Sequence, residues 1–200
     1  MASDTRVQPH GHRPLDERAV IVTAWVHEDD LHVFNRMRER FFPRVRTFAS
    51  AHVTLFHHLP GVKRAEVLRA LRNEVGSFTH PRLDPSLGVA RVRSTGVFRM
   101  NRGTAYRLER EFLTALREPL RDRFAGDLRP QDAAPWRNPH ITVMNKVDPE
   151  RAARLTRHLA ARHEECDLRI LGVQAWRYDY GPWALLEEIR FPHIPDGDVV

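Results

Sequence analysis

Cysteine is almost missing from this chain of 200 residues: Cys166 is the single one. One thiol excludes an intramolecular disulfide and fits a reducing compartment, so a cytoplasmic protein is expected. Cys166 falls at an expected helix-to-strand junction with no base motif beside it and reads as a structural residue. Long apolar runs are missing too. Nothing approaches the ~18 apolar residues of a membrane span, and residues 1–16 lack the apolar central segment of a signal peptide and read as a loose tail. Glycine-rich phosphate loops and the dinucleotide fingerprint are absent, which removes the common nucleotide-cradling motifs. Lysine is confined to Lys63 and Lys146, so arginine carries nearly all the positive charge. The arginines are scattered, so the net charge of +6 suits an anionic substrate without marking a nucleic-acid patch. What remains, 42% hydrophobic and 29% charged residues, is the composition of one globular domain with a sizeable core.

Hydrophobic patterning divides the chain. The β-branched run 19–26 predicts a strand. Asp29 and Asp30 offer N-cap oxygens to a helix carrying Leu31, Phe34, Met37 and Phe41 at helical spacing, stopped by Pro43. A strand over about 51–57 closes at Pro60-Gly61, and Val67, Leu68, Leu71 and Val75 stripe a helix over 62–75 that Gly76 ends. Strands are expected at 87–93, 96–100 and 104–108, with Asn101-Arg102-Gly103 turning the last two. Leu108, Phe112, Leu116, Leu120 and Phe124 predict a helix over about 109–124 that contains Pro119. A proline-bearing loop covers 126–138 and a strand about 139–147. Asp148-Pro149 starts a helix running to about 164. Strands at 167–178 and 183–191, turned by Gly181-Pro182, finish the chain. The order β-α-β-α-β-β-β-α-β-α-β-β has two halves of similar grammar, a weak internal repeat. It implies an α+β fold over 19–191, with tails at 1–18 and 192–200 and two antiparallel-sheet lobes flanking a cleft.

The repeat carries chemistry. His52-Val53-Thr54 and His140-Ile141-Thr142 are the same pattern, 88 residues apart, each at the head of an apolar strand-like run. Strand alternation places His52 with Thr54 and His140 with Thr142 on one face each, opposite the apolar residues that pack beneath helices. Two imidazoles across a cleft make a general acid and a general base without a metal, because a group with a pKa of ~6.5 supplies both forms near neutrality. Threonine hydroxyls donate hydrogen bonds to phosphate oxygens and developing negative charge. A lone strand histidine is ordinarily structural; the duplication is what makes these four catalytic candidates.

The paired motifs resemble the 2H phosphoesterase superfamily, and most its bacterial branch of RNA 2′,3′-cyclic phosphodiesterases or 2′-5′ RNA ligase-like proteins. The resemblance spans roughly 19–191 and includes His58-Leu59-Pro60-Gly61 and the closing segment Trp176 to Trp183. It implies a bilobal, pseudo-twofold fold and metal-independent hydrolysis of a phosphodiester, often a 2′,3′-cyclic phosphate. His52 and His140 are implied as the acid/base pair, with His140 leaning to base and His52 to acid in hydrolysis. Thr54 and Thr142 are implied as phosphate-holding residues.

Other candidates come from position alone. Phe56 and His58 share the expected cleft face with Thr54, and Phe56 is placed to stack on a base. Arg137 precedes the second motif and is placed to hold phosphate. Tyr178 and Trp183 flank the late turn and are placed to border the pocket. His57 falls on the opposite face from His52 and His58, which argues against three-way metal ligation. The expectation is therefore an enzyme with no metal or cofactor and no membrane partner, a monomer acting on RNA 3′ ends or small nucleotide cyclic phosphates. The rivals are a phosphodiesterase for a small non-RNA cyclic phosphate, such as an ADP-ribose derivative, and a non-catalytic RNA-end binding module.

Overall fold

The computed structural model describes residues 17–43 and 49–193, so most of both expected tails lies outside the described residues. The strands are β1 Val20–Val26, β2 Val53–Leu59, β3 Leu83–Asp84, β4 Val89–Met100, β5 Gly103–Leu108, β6 His140–Met144, β7 Asp167–Tyr178 and β8 Trp183–Arg190. The helices are α1 Glu28–Phe41, α2 Arg64–Gly76, α3 Glu111–Arg123, α4 Pro130–Ala133 and α5 Pro149–Ala160. All pairings are antiparallel, in the order β2-β1-β7-β4-β5-β6, with β3 added to β4 and β8 to β7. This is the α+β architecture expected from the sequence. The motif strands β2 and β6 are the two ends of that order, yet they touch. The sheet therefore curls until its ends meet.

Two long strands join the halves. β4 pairs with β7 through residues 90–93 and with β5 from residue 94 onward, so the two strands expected at 87–93 and 96–100 are one. The change of partner falls on a register shift at Gly96, whose φ of +153° suits glycine. β7 does the same. It pairs with β4 at 167–170 and with β8 from 172, and Gly172 (φ +153°) sits at the shift. A Cβ at Gly172 would collide with the Ile189 carbonyl oxygen.

The helices bury the stripes their spacing predicts. α2 sends Val67, Ala70, Leu71 and Val75 inward, against β7 and β8. α3 buries Phe112, Leu113, Leu116 and Leu120 with Pro119 exposed on its outer side, and α5 buries Ala152, Leu155 and Leu159 against β4 and β5. Full burial of each large aliphatic or aromatic side chain is worth about 1.5–3 kcal/mol. Asp148 caps α5, accepting from the N–H groups of Glu150 (2.8 Å) and Arg151 (3.4 Å); that helix ends at 160, short of the expected 164. A short 3₁₀ turn at 61–63 precedes α2, and the expected loop at 126–138 contains α4. The cap of α1 is His27, not Asp29 or Asp30. Asp30 is committed elsewhere: its carboxylate takes Arg169 Nε (3.0 Å), Nη2 (2.8 Å) and N–H (2.7 Å), pinning the helix start to β7. α1 then packs on β6, a strand of the other half. No helix among the described residues is long and apolar enough to cross a membrane.

Candidate active site

His52 immediately precedes β2, and His140 opens β6. Both rings are held the same way. His52 Nδ1 lies 2.6 Å from the carbonyl of Ser50, and His140 Nδ1 lies 2.7 Å from the carbonyl of Asn138, in each case two residues upstream. A carbonyl can only accept, so Nδ1 carries the proton in both rings, and each Nε2 is left with a lone pair when the ring is neutral. The duplicated sequence thus produces a duplicated tautomer.

Burial pushes His52 down to about 4; the Ser50 hydrogen bond opposes that, and the Arg38 charge, with His57 and His140 whenever they are protonated, adds to it. Burial also lowers His140, against the Asn138 bond and with help from His57. Burial therefore holds both rings toward the neutral form at neutral pH, and each is poised to accept a proton. Thr54 follows on the same face, opposite Thr23 of β1, and its hydroxyl has no protein partner among the described residues. Among the described residues the Thr142 hydroxyl faces only the Met100 sulfur at 3.8 Å, a weak acceptor. Both hydroxyls are free to serve a ligand.

Two buried arginines brace the motif strands. Arg38 lies on the apolar stripe of α1 and is 5% exposed. Its Nη1 donates to the Thr142 carbonyl (2.7 Å) and its Nη2 to the Ala49 carbonyl (2.8 Å), tying β6 to the segment that leads into His52. Asn35, one turn earlier, accepts from the Ala51 N–H at 2.6 Å. Burial lowers the Arg38 guanidinium to about 10, still charged at neutral pH. Arg117 on α3 has the mirrored job: Nε donates to the Leu55 carbonyl of β2 (2.9 Å) and Nη2 to the Asp132 carbonyl of α4. The Asp132 carboxylate in turn accepts from the N–H of His57 (3.0 Å), His57 Nδ1 (2.9 Å) and the N–H of His58 (2.9 Å). Burial pushes that carboxyl up, but these bonds outweigh it and hold it below the usual carboxylate range. None of Arg38, Arg117 and Asp132 stands out in the sequence. The available signal is an arginine on the apolar stripe of each helix, four residues after Phe34 in α1 and four after Leu113 in α3.

The outer candidates separate. Phe56 does not line the cleft. A bulge at Leu55 shifts the register, Thr23 facing Thr54 and Val22 facing Phe56, so Phe56 turns into the core with 0% exposure against Phe124 and under Arg117. The alternation expected through 52–58 is lost at the same point, and His57 and His58 both direct their N–H groups at Asp132. Arg137 borders a separate groove beside α3, with Trp136 and Thr114. Tyr178 is exposed and pairs with Tyr180 (5.8 Å). Trp183 does reach the site: its ring centroid is 4.6 Å from that of His52. Beyond it opens a cavity of about 1090 Å³ between the start of α1 and the concave face of β1, β7, β8 and β4; His52 lines it and His140 does not.

The family model for the 2′-5′ RNA ligase superfamily matches residues 25–182. Among curated proteins none matches the chain. Among solved structures, TT0787 of Thermus thermophilus is similar, with a TM-score of 0.59 at 17% identity over 88% of this chain and 98% of that one. So is LigT of E. coli, solved in complex with 3′-AMP (TM-score 0.56) and with NADP+ (0.55), at 16% identity over 88% of this chain and 98% of LigT. At such identities the likeness is one of fold.

Proposed function

The chain belongs to the 2′-5′ RNA ligase superfamily, and from that premise we propose that it is a metal-independent phosphodiesterase. It opens 2′,3′-cyclic phosphates, or acts on 2′-5′ phosphodiester linkages, of RNA ends or small nucleotides. The observation that carries the reading is the matched pair of imidazoles, each with Nδ1 held by the carbonyl two residues upstream and Nε2 left for a substrate. The nucleotide complexes of LigT, with 3′-AMP and NADP+, support a nucleotide as ligand; 3′-AMP is also the kind of nucleoside monophosphate that ring opening yields.

In the proposed step one histidine takes a proton from water at Nε2. The water oxygen forms a bond to phosphorus, the bond from phosphorus to one ribose oxygen breaks, and the other histidine, protonated, gives its proton to that oxygen. Thr54 and Thr142 donate to the non-bridging oxygens. An anionic phosphate between the rings also raises both lowered pKa values, which favours the protonated acid that burial disfavours. The family resemblance implies His140 as the base and His52 as the acid; read backwards, the same pair runs ligation.

Turnover of nucleoside 2′,3′-cyclic monophosphates in EDTA tests this. Wild type is expected to form a 2′- or 3′-phosphate, and His52→Ala or His140→Ala to remove it by ~10²-fold or more. Binding without turnover in wild type would sink the enzymatic reading in favour of an RNA-end binding module. Turnover of a non-RNA cyclic phosphate alone would move the substrate away from RNA.

A further inference from the structure

The cavity beside His52 is larger than one phosphate and one sugar require, and its walls have a distinct chemistry. Three tryptophans line it: Trp183, Trp176 and Trp25. Trp183 stands 4.6 Å from the His52 ring and 6.3 Å from Trp176. Trp176 donates its only polar hydrogen to Thr23 Oγ1 (3.0 Å), which fixes the indole and leaves its face as the working surface. Trp25, further along, carries the Arg190 guanidinium 4.5 Å above its ring. Between them, Gln174 Nε2 donates to the Glu188 carboxylate (2.8 Å), a donor-acceptor pair on the cavity wall. Arg91 lines the far end and has no ion pair or hydrogen bond among the described residues. Arg169 also lines it but is held by Asp30, and Glu28 is the other carboxylate on the wall. Flat, fixed aromatic faces in series, with an unpaired cation at the end, are what successive nucleobases and a further backbone phosphate need. At about 1090 Å³ the space exceeds that of an ordinary small-ligand pocket, about 300–1,000 Å³. Among the described residues the His140 ring has one aromatic neighbour, Phe98, at 5.7 Å.

We propose that this cavity is a base-stacking subsite that takes a second nucleoside beyond the one bearing the reacting phosphate. The nearer base lies by Trp183 and Trp176, and the next lies toward Trp25, with the backbone phosphate beyond it toward Arg91. The substrate class is then an oligonucleotide end of two or more nucleosides rather than a mononucleotide or a sugar phosphate. This rests on the phosphodiesterase reading above and narrows it.

The test compares kcat/KM for adenosine 2′,3′-cyclic monophosphate with that for the adenylyl dinucleotide ending in the same cyclic phosphate, both in EDTA. Wild type is expected to favour the dinucleotide by about tenfold or more, the range of one stacked base. Trp25→Ala should collapse that ratio toward one, and Trp25→Phe, which keeps a ring, should retain most of it. An unchanged ratio in a folded Trp25→Ala protein, or a wild type that treats both substrates alike, overturns the subsite. If wild type turns over neither substrate, the phosphodiesterase reading fails, and the subsite is judged by binding. Quenching of tryptophan fluorescence by adenylyl-adenosine at about fivefold or more tighter than by adenosine monophosphate upholds it, and equal or absent quenching rejects it.

Discussion

A neutral imidazole accepts protons well and donates them poorly, and the cleft holds both of its histidines toward the neutral form. On the proposed mechanism the productive free protein has one ring protonated and one neutral, a state whose population peaks between the two apparent pKa values of the pair. Burial takes His52 to about 4 and puts His140 below its ordinary value. The optimum of kcat/KM is therefore expected on the acid side of ~6.5, the unperturbed imidazole value. Above it the rate falls because the pair keeps no proton to donate; below about 4 it falls because both rings are protonated and neither can accept. The optimum of kcat should lie higher, since bound phosphate raises both rings. Initial rates on a nucleoside 2′,3′-cyclic phosphate across the acid and neutral range decide it, and a kcat/KM that climbs through neutrality to an alkaline optimum contradicts it. The four residues proposed for this chemistry are legible in the sequence because they lie in two identical local patterns. The direction of the pKa shifts is not, because burial is a property of the assembled cleft.

At the scale of the element, β2 shows why a strand's free edge needs a partner. Among the described residues it pairs with β1 alone, and its other edge is closed by side chains rather than by a strand. Arg117 takes the Leu55 carbonyl, and Asp132 takes the N–H groups of His57 and His58. Asp132→Ala would leave those donors unmatched, at a cost of about 1–3 kcal/mol each. A lower urea midpoint with an unchanged slope is the expected result; an unchanged midpoint would mean that water replaces the carboxylate without loss. The folded-state carboxyl is depressed, so its contribution is present above the unfolded value of ~3.9 and lost as pH falls through the folded one. Helix stripes and the Asp148-Pro149 start are readable because they are local. The Leu55 bulge is not, because alternation gives no warning of an extra residue whose register is set by β1 and whose edge is closed from 75 residues away. That is why sequence alone puts Phe56 in the cleft, while the folded strand gives it to the core.

For the whole molecule, the question is what keeps two histidines from opposite ends of one sheet in register. The halves share β4 and β7, but each motif strand is also gripped by a helix of the other half: α1 reaches β6 through Arg38, and α3 reaches β2 through Arg117. Bilobal organisation is visible in the sequence as a repeat of grammar; this crossing is not, because each arginine binds backbone carbonyls, which carry no sequence signature. Arg38 is the more telling of the two, since its guanidinium spans the Thr142 carbonyl and the Ala49 carbonyl and so fixes one motif against the approach to the other. Misplacement of reacting groups by about 1 Å can cost ~10² in rate. Arg38→Met is therefore expected to lower kcat on a nucleoside 2′,3′-cyclic phosphate by about that factor while leaving KM much less changed. Arg38→Lys, which keeps the charge but cannot span both carbonyls, should recover only part of it. A purely structural role predicts lost stability with normal kcat in the fraction that remains folded. The pH profile gives a second discrimination. The positive charge of Arg38 helps to hold His52 down, so its removal should raise His52 and move the acid limb of kcat/KM toward higher pH, whereas the lysine variant should leave that limb near its original place.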